Sequence, residues 1–228
     1  MLKIKNKSKY LAITILIGGK SARFGSDKGL YEILGKPLIS YLLETLAQND
    51  YDIFLVAHSD KQVQNYIDKI DIKEIMAFII DEPPISKKQE RSPMIGLYSA
   101  FKELNKLKYE KALVLPCDTP LVQNHVIKFL IEQSKDNDCC IPRWDNGFIE
   151  PLFAIYPIEK SFKSAKKNLT KNQFKLTGLL EKNWRIKYIS IEKTIQNLDK
   201  NLLSFININK QLDLERISKV LRKNKTKE

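Results

Sequence analysis

Apolar runs and segments of helical periodicity alternate along most of the chain. Residues 10–17 form an apolar run rich in β-branched side chains, which is typical of a strand buried on both faces. Residues 37–48 then carry apolar side chains at helical spacing, and Pro37 stands in the favoured first turn of that helix. Further short apolar runs predict strands at residues 52–57, 78–80, 111–115, 138–141, 152–156, 186–190 and 204–206. Strands that alternate with helices predict a single Rossmann-like α/β domain of three layers, with a mostly parallel, mixed sheet.

Length and composition are those of one folded domain. A chain of 228 residues with 43% hydrophobic residues is long enough to bury a substantial core. No apolar run approaches the roughly 18 residues that a membrane-spanning helix needs, and residues 1–9 lack a signal-peptide core. We therefore expect a cytoplasmic protein without a membrane partner. The three cysteines follow neither zinc nor disulfide spacing, so we expect reduced thiols.

The net charge of +12 is concentrated in three segments. Residues 1–9 carry four lysines and no acid, residues 216–228 carry six bases and one acid, and residues 159–193 carry ten bases and three acids. We interpret the two terminal segments as basic, partly disordered tails on a folded domain at residues 10–215. The internal segment belongs to the folded chain, where its charge could attract a phosphorylated substrate. This distribution favours no specific nucleic-acid partner.

A glycine-rich, basic loop follows the first predicted strand, over residues 16–28. Glycines allow close approach of the backbone, so that successive N–H groups can point at an anion, while Arg23 and Lys28 can supply charge to a triphosphate. The loop is not a Walker A motif, because Thr14 occupies the position of the required earlier glycine. The glycine spacing also excludes the Rossmann dinucleotide fingerprint. The loop is therefore predicted to be a phosphate cradle of another type.

The spaced elements of this loop resemble the signature of GT-A-type nucleotidyltransferases, especially the molybdenum cofactor guanylyltransferases, the MobA family. The matching pattern is G-G-x-S-x-R-F-G-x-D-K-G-L from Gly18 onward, followed by L-G-K-P-L at residues 34–38. Ile17 stands where the family usually has alanine. The resemblance implies catalytic roles for Arg23 and Lys28. It also implies nucleotide contacts from Leu16, Ile17, Gly18, Gly19 and Lys28.

Asp118 stands at the carboxyl end of the strand predicted at residues 111–115, within the sequence P-C-D-T-P. Open α/β sheets bind their ligands at that edge. One carboxylate beside a phosphate loop suits Mg²⁺, which commonly takes one or two carboxylates together with substrate phosphates. The five residues resemble the metal-binding motif of the family, which implies that Asp118 holds Mg²⁺, contacts the nucleotide and is catalytic. Cys117 is expected to be a packing residue.

Two further segments resemble elements on the nucleotide side. Asp81 follows the strand predicted at residues 78–80 and aligns with a family aspartate that contacts the nucleotide. The sequence S-P-M-I-G at residues 92–96 resembles the G-P-L-x-G element that opens a helix under the base, with Ser92 in place of the first glycine. The resemblance therefore implies nucleotide contacts from Asp81, Pro93 and Gly96. Between these elements, residues 82–92 are polar with two prolines, which predicts a long mobile loop near the site.

Two segments in the second half of the chain resemble elements on the acceptor side of the family's cleft. The E-P-L-F-A-I-Y sequence at residues 150–156 resembles the strand that lines this side of the family's cleft, and F-I-N-I-N at residues 205–209 resembles an element near the C-terminus. Asparagines at alternate strand positions point the same way. We therefore expect Asn207 and Asn209 to bind the acceptor or to position metal and phosphate.

The resemblance implies that GMP is transferred from GTP to the terminal phosphate of molybdopterin, with release of pyrophosphate and formation of molybdopterin guanine dinucleotide. We expect a Mg²⁺-dependent enzyme without a covalent intermediate, and other proteins of molybdenum cofactor biosynthesis as partners. One alternative is a related nucleotidyltransferase that uses CTP or a different phosphorylated acceptor. The other is a non-catalytic nucleotide- or RNA-binding module. That hypothesis leaves Lys28 and Asp118 unexplained, and the sequence contains no RNP-type aromatic motif.

Overall fold

The computed structural model describes residues 9–18, 27–83, 92–208 and 211–225. These residues form a seven-stranded sheet and a short hairpin. The strands of the sheet are β1 Leu11–Leu16, β4 Asp52–Ala57, β5 Ile75–Ile80, β6 Lys111–Pro116, β7 Cys139–Arg143, β8 Ala154–Pro157 and β9 Ile186–Ser190, and those of the hairpin are β2 Glu32–Ile33 and β3 Lys36–Pro37. The helices are α1 Leu38–Leu46, α2 Asp60–Ile67, α3 Pro93–Lys106, α4 Asn124–Ser134, α5 Ile158–Thr170, the short α6 Gln196–Leu198 and α7 Gln211–Lys225.

The strands of the large sheet lie in the order β5-β4-β1-β6-β8-β7-β9. Strand β1 pairs in parallel with β4 and with β6, and the register places Ile13 beside Ile53 on one side and Leu113 on the other. Strand β8 runs antiparallel to both β6 and β7, whereas β7 and β9 are parallel. The prediction of a Rossmann-like α/β domain with a mostly parallel, mixed sheet is therefore confirmed.

Side chains of β1 alternate between two apolar layers. Ile13 and Ile15 belong to a buried cluster that contains residues of α1 and α4, whereas Ala12 and Leu16 belong to a second cluster with residues of α3 and α5. Every residue of β1 is buried, as expected for a central strand with helices on both faces. This packing fixes the carboxyl end of β1 between the two helical layers.

The prediction of a strand at residues 204–206 is wrong. Residues Leu203–Phe205 form a 3₁₀ turn instead, which follows Leu202 with a left-handed backbone at φ 49°. The carboxylate of Asp199 accepts hydrogen bonds from the N–H groups of Leu203 at 3.0 Å and Ser204 at 2.8 Å. Because the side chain of Asp199 satisfies these donors locally, the segment turns and does not join the sheet.

The boundary predicted between the domain and a C-terminal tail at residue 215 falls inside α7. Residues 216–225 continue this helix, and the apolar side chains of Ile217, Val220 and Leu221 recur at helical spacing and pack on the domain. Ile217 is completely buried, and with Leu214 it joins a cluster that includes Ile33 and Leu38. Residues 1–8 of the predicted N-terminal tail, residues 84–91 of the predicted loop and residues 226–228 lie outside the described ranges. Within those ranges, every helix is too short or too polar to cross a membrane.

Candidate active site

A cavity of about 330 Å³ opens at the carboxyl ends of β1 and β6. The chain passes from β1 to β4 and β5 on one side of the sheet and returns with β6 on the other, so the cavity lies at the point where the strand order reverses. Such switch points are the usual ligand sites of open α/β sheets. The cavity brings together many of the predicted site residues, namely Leu16, Ile17, Gly18, Lys28, Pro93, Asp118 and Asn207.

Lys28 and Asp118 form an ion pair in this cavity. The Nζ of Lys28 lies 3.1 Å from Oδ2 of Asp118, and the two side chains are 24% and 18% exposed. Asp118 follows the end of β6, while Lys28 begins a 3₁₀ turn, Lys28–Leu30, that Asp27 caps. The pair therefore places one cation and one carboxylate, both accessible to a ligand, at the same end of the sheet.

The segment after β1 is fixed by β4. The N–H groups of Ile17 and Gly18 both donate to the carbonyl oxygen of Val56, at 3.0 and 3.2 Å. A Cβ placed on Gly18 would lie 3.6 Å from the Cβ of His58 and 3.9 Å from Oδ2 of Asp81. Gly18 therefore borders both the cavity and the ends of the two neighbouring strands.

Asp81 and the first turn of α3 lie against this segment. Asp81 follows β5, and its N–H donates to the carbonyl oxygen of Ala57 at 2.8 Å. A Cβ placed on Gly96 would lie 3.1 Å from Cδ2 of Leu16 and 3.5 Å from Oδ1 of Asp81. Glycine at position 96 therefore lets the first turn of α3 pack closely on the end of β1, with Pro93 at the cavity wall.

The opposite wall of the cavity is aromatic. The rings of Phe153 and Phe205 lie 5.0 Å apart, and Trp144 packs edge-on against Phe205 at 5.8 Å. Nε1 of Trp144 donates to Oε1 of Glu150 at 2.6 Å, and Glu150, Phe153 and Phe205 all border the cavity. Asn207, two residues after Phe205, also borders the cavity, and the N–H of the next residue, Ile208, donates to the carbonyl oxygen of Asp118 at 3.1 Å.

Three predicted site residues, Gly19, Arg23 and Asn209, lie outside the described ranges. The structure adds Leu176 and Ser204 to the cavity wall. Sequence reasoning missed both, because they come from 3₁₀ turns that have no periodicity of their own. The turn that carries Ser204 depends instead on Asp199, whose carboxylate accepts from N–H groups four and five residues later.

Cys117 borders the cavity as a neutral thiol. Burial raises the pKa of this thiol well above its ordinary value, and the neighbouring carboxylates of Asp118 and Asp27 raise it further. Because the thiolate is the nucleophilic form of cysteine, this environment suits packing and opposes covalent catalysis.

The ligands that the cavity offers fit a metal ion whose coordination shell is completed by the substrate. Among the described residues, no group of three or more His, Cys, Asp and Glu side chains could hold a metal ion. Asp118 offers one carboxylate beside a cationic side chain, and Mg²⁺ commonly binds one or two carboxylates, substrate phosphates and water. The residues present therefore fit Mg²⁺ delivered with a nucleotide better than a metal caged by protein ligands alone.

A family model described as the MobA-like NTP transferase domain matches residues 13–183. A probable molybdenum cofactor guanylyltransferase from Pyrococcus horikoshii is 31% identical over 91% of this chain and 99% of its own length. Another from Thermococcus gammatolerans is 32% identical over 90% of this chain and 97% of its own. Molybdopterin-guanine dinucleotide biosynthesis protein A from Archaeoglobus fulgidus has a similar crystal structure, with a TM-score of 0.74, 26% identity and coverage of 93% and 99% of the two chains. The chain therefore belongs to the MobA-like NTP transferase family of nucleotidyltransferases.

Proposed function

We propose that the protein transfers GMP from GTP to the terminal phosphate of molybdopterin, releasing pyrophosphate and forming molybdopterin guanine dinucleotide. The observation that carries the proposal is the Lys28–Asp118 pair in a cavity at the switch point of the sheet. Its position suits a triphosphate and its metal. Relatives that span almost the whole chain are named molybdenum cofactor guanylyltransferases, and this supports guanine as donor base and molybdopterin as acceptor.

In the proposed complex, the donor nucleotide lies between the end of β1 and the first turn of α3. Leu16, Ile17, Gly18, Asp81, Pro93 and Gly96 would surround the base and ribose. Lys28 would contact the phosphates, together with Gly19 and Arg23 of the loop. The proximity of Gly18, Asp81 and Gly96 supports this assignment, because one nucleoside could touch all three.

The acceptor would lie on the side of Phe205 and Asn207. The aromatic wall of Phe153 and Phe205 is suited to a flat ring system, and the amide of Asn207 can bind a polar edge or a phosphate. Asn209 is proposed to assist Asn207 here. This arrangement would bring the acceptor phosphate toward Lys28 and Asp118 from the side opposite the nucleoside.

The reaction needs no protein nucleophile. An oxygen of the acceptor phosphate would form a bond to the α-phosphorus of GTP, and the bond from that phosphorus to the bridging oxygen of pyrophosphate would break. The acceptor phosphate is already ionised near pH 7, so no general base is required. The ammonium of Lys28 would stabilise charge on the phosphoryl oxygens and on the departing pyrophosphate.

Asp118 is proposed to hold Mg²⁺. When bound there, the metal would neutralise phosphate charge during the transfer. The ion pair with Lys28 keeps the carboxylate from standing uncompensated before the substrate arrives. Substrate would then separate the pair, with the carboxylate turning to the metal and the ammonium to the triphosphate.

We further propose that the enzyme works in the cytoplasm, alongside other proteins of molybdenum cofactor biosynthesis. Cys117, Cys139 and Cys140 are free and buried, which agrees with a reducing compartment. Fractionation of cells with an antibody against the protein would test the location.

The proposed function is tested by incubating the purified protein with Mg²⁺, molybdopterin and each of the four nucleoside triphosphates. Pyrophosphate release and the mass of the dinucleotide product are measured. Product from GTP supports the proposal, whereas preferential use of CTP would reassign the donor. Absence of pyrophosphate from every combination would overturn the enzymatic proposal.

A further inference from the structure

Asp27, the residue before Lys28, is surrounded by hydrogen-bond donors. Its Oδ1 accepts from the hydroxyl of Tyr66 at 2.6 Å and from the N–H of Gly29 at 3.1 Å. Its Oδ2 accepts from the side-chain amide of Gln62. Two of these donors come from α2, and neither Gln62 nor Tyr66 is among the described residues that line the cavity.

Gln62 joins three separate segments around the site. Its Nε2 also donates to the carbonyl oxygen of Ile17 at 2.9 Å, and its Oε1 accepts from the N–H of His58 at 2.9 Å. The side chain is 4% exposed. Each of its polar atoms is therefore committed to holding the end of β1, the end of β4 and the turn that carries Lys28.

Tyr66 fixes the same turn by contact. The residue is completely buried, and a Cβ placed on Gly29 would lie 2.3 Å from its hydroxyl oxygen and 3.2 Å from Cζ. Burial raises the pKa of Tyr66 well above its ordinary value, with Cys117 and Asp27 raising it further, so the hydroxyl stays protonated and remains a donor to Asp27.

We propose that Gln62 and Tyr66 are positioning residues for Lys28 and that they act through Asp27. The inference rests on the proposed contact of Lys28 with the triphosphate. The carboxylate of Asp27 stands next to Lys28 in the chain and would compete for its ammonium group if its oxygens lacked other donors. Because Gln62 and Tyr66 donate to those oxygens, the carboxylate of Asp27 attracts the ammonium less strongly. The ammonium lies at the cavity, where it meets Asp118 at 3.1 Å. A pre-organised cation binds phosphate at a smaller cost in conformational freedom.

The test measures ligand affinity by isothermal titration calorimetry, with GTP and with inorganic tripolyphosphate as separate probes in the presence of Mg²⁺. Four proteins are compared, namely the unmodified chain, Tyr66→Phe, Lys28→Ala and the double variant. We expect Tyr66→Phe to lower the affinity for both probes roughly 10-fold. In the Lys28→Ala background, it should cause no further loss of affinity. Unchanged affinity in Tyr66→Phe, or effects that multiply in the double variant, would overturn the proposal.

Tyr109→Phe is the matched control. The hydroxyl of Tyr109 donates to Asp52 in a second Tyr–Asp pair, which is buried. This pair lies at the amino end of β4 and therefore at the edge of the sheet away from the cavity. Both variants are expected to melt at similarly reduced temperatures, whereas affinity is expected to fall in Tyr66→Phe alone. An equal loss of affinity in Tyr109→Phe would assign the effect to general destabilisation and reject the proposal.

A second variant and the choice of probes separate the remaining outcomes. Gln62→Met keeps the approximate side-chain volume and removes the donor to Asp27. It is therefore expected to lower the affinity for both probes in the same way. An unchanged affinity would count against the proposal. If the unmodified chain binds tripolyphosphate but not GTP, the proposed donor is wrong, while a loss of tripolyphosphate affinity in Tyr66→Phe still supports the positioning role. If it binds neither probe, both inferences are overturned.

Discussion

The ammonium of Lys28 contacts the carboxylate of Asp118 at 3.1 Å, although 90 positions separate the two residues in the chain. Lys28 belongs to the turn after the glycine-rich loop, and Asp118 to the end of β6. Their contact brings the proposed phosphate ligand and the proposed metal ligand to one point. Each partner is accessible enough to exchange the other for substrate.

Replacement of Asp118 by alanine is expected to abolish turnover while the fold remains intact. The side chain stands at a cavity-facing strand end and outside the apolar clusters, so its loss leaves the core unchanged. We expect kcat/KM for pyrophosphate release to fall by roughly 1000-fold or more with Mg²⁺ as the metal. Circular dichroism and thermal melting provide the control for folding. Turnover close to that of the unmodified enzyme would exclude the proposed metal site.

Replacement of Lys28 by alanine is expected to weaken binding of the triphosphate more than binding of the acceptor. Lysine provides a compact charge for phosphate, and the proposed acceptor ring lies against the aromatic wall instead. The KM for GTP should rise about 10-fold or more, whereas the KM for molybdopterin should change less than about 3-fold. Steady-state kinetics with each substrate varied in turn provide the measurement. An unchanged KM for GTP contradicts the assigned role.

GTP is expected to be preferred to CTP and ATP. The proposed base site lies beside Gly18, Asp81 and the first turn of α3. Guanine carries hydrogen-bond donors at N1 and at the amine on C2, whereas adenine has an acceptor at N1 and no amine on C2. A buried polar group left unpaired costs about 1–3 kcal/mol, which corresponds to roughly 10- to 100-fold discrimination. Ile17 and Ser92, which depart from the family pattern, border this region. Values of kcat/KM for the four triphosphates with one acceptor decide the matter, and a preference for CTP would reject the prediction.

Replacement of Gly29 by alanine is expected to destabilise the protein through Tyr66. The backbone at Gly29 does not have a positive φ, so alanine causes no strain of its own there. The new Cβ would instead meet the hydroxyl of Tyr66 at 2.3 Å, and overpacking of this kind costs about 1–3 kcal/mol. Urea denaturation measures the loss. Adding Tyr66→Phe to Gly29→Ala should restore part of it, because the contacting oxygen is removed, and an additive loss would contradict this explanation.

The sheet could be predicted well because its central strands are buried on both faces. Strand β4 has the predicted bounds, and every residue of β1 is buried. The turn at Leu203–Phe205 could not be predicted from periodicity, since side-chain bonds from Asp199 decide its backbone. The helix that contains Ile217 was assigned to a tail because its sequence is rich in bases, although its apolar residues recur at helical spacing.

The meeting of candidate site residues at one edge of the sheet was predictable where those residues follow strand ends. Asp118, Gly18 and Asp81 each come after a strand of the sheet, and strand ends of the same direction meet at one edge. The contacts of Gln62 and Tyr66 with Asp27 could not be foreseen, since 35 and 39 positions separate the partners. Helical periodicity marks Tyr66 only as a buried residue of α2, and the partner of its hydroxyl depends on how that helix docks.

The bond from the N–H of Ile208 to the carbonyl oxygen of Asp118 has a consequence for biosynthesis on the ribosome. Strands β1, β4, β5 and β6, which carry the proposed nucleotide side, are synthesised early. Ser204, Phe205 and Asn207 of the opposite wall follow the end of β6 by about 90 positions. A growing chain therefore contains every strand of the proposed nucleotide side before the proposed acceptor wall is complete. We therefore expect a translation product or proteolytic fragment that ends before residue 200 to keep part of the proposed nucleotide site. It would lack Phe205 and Asn207 of the proposed acceptor wall, and we expect it to transfer no GMP.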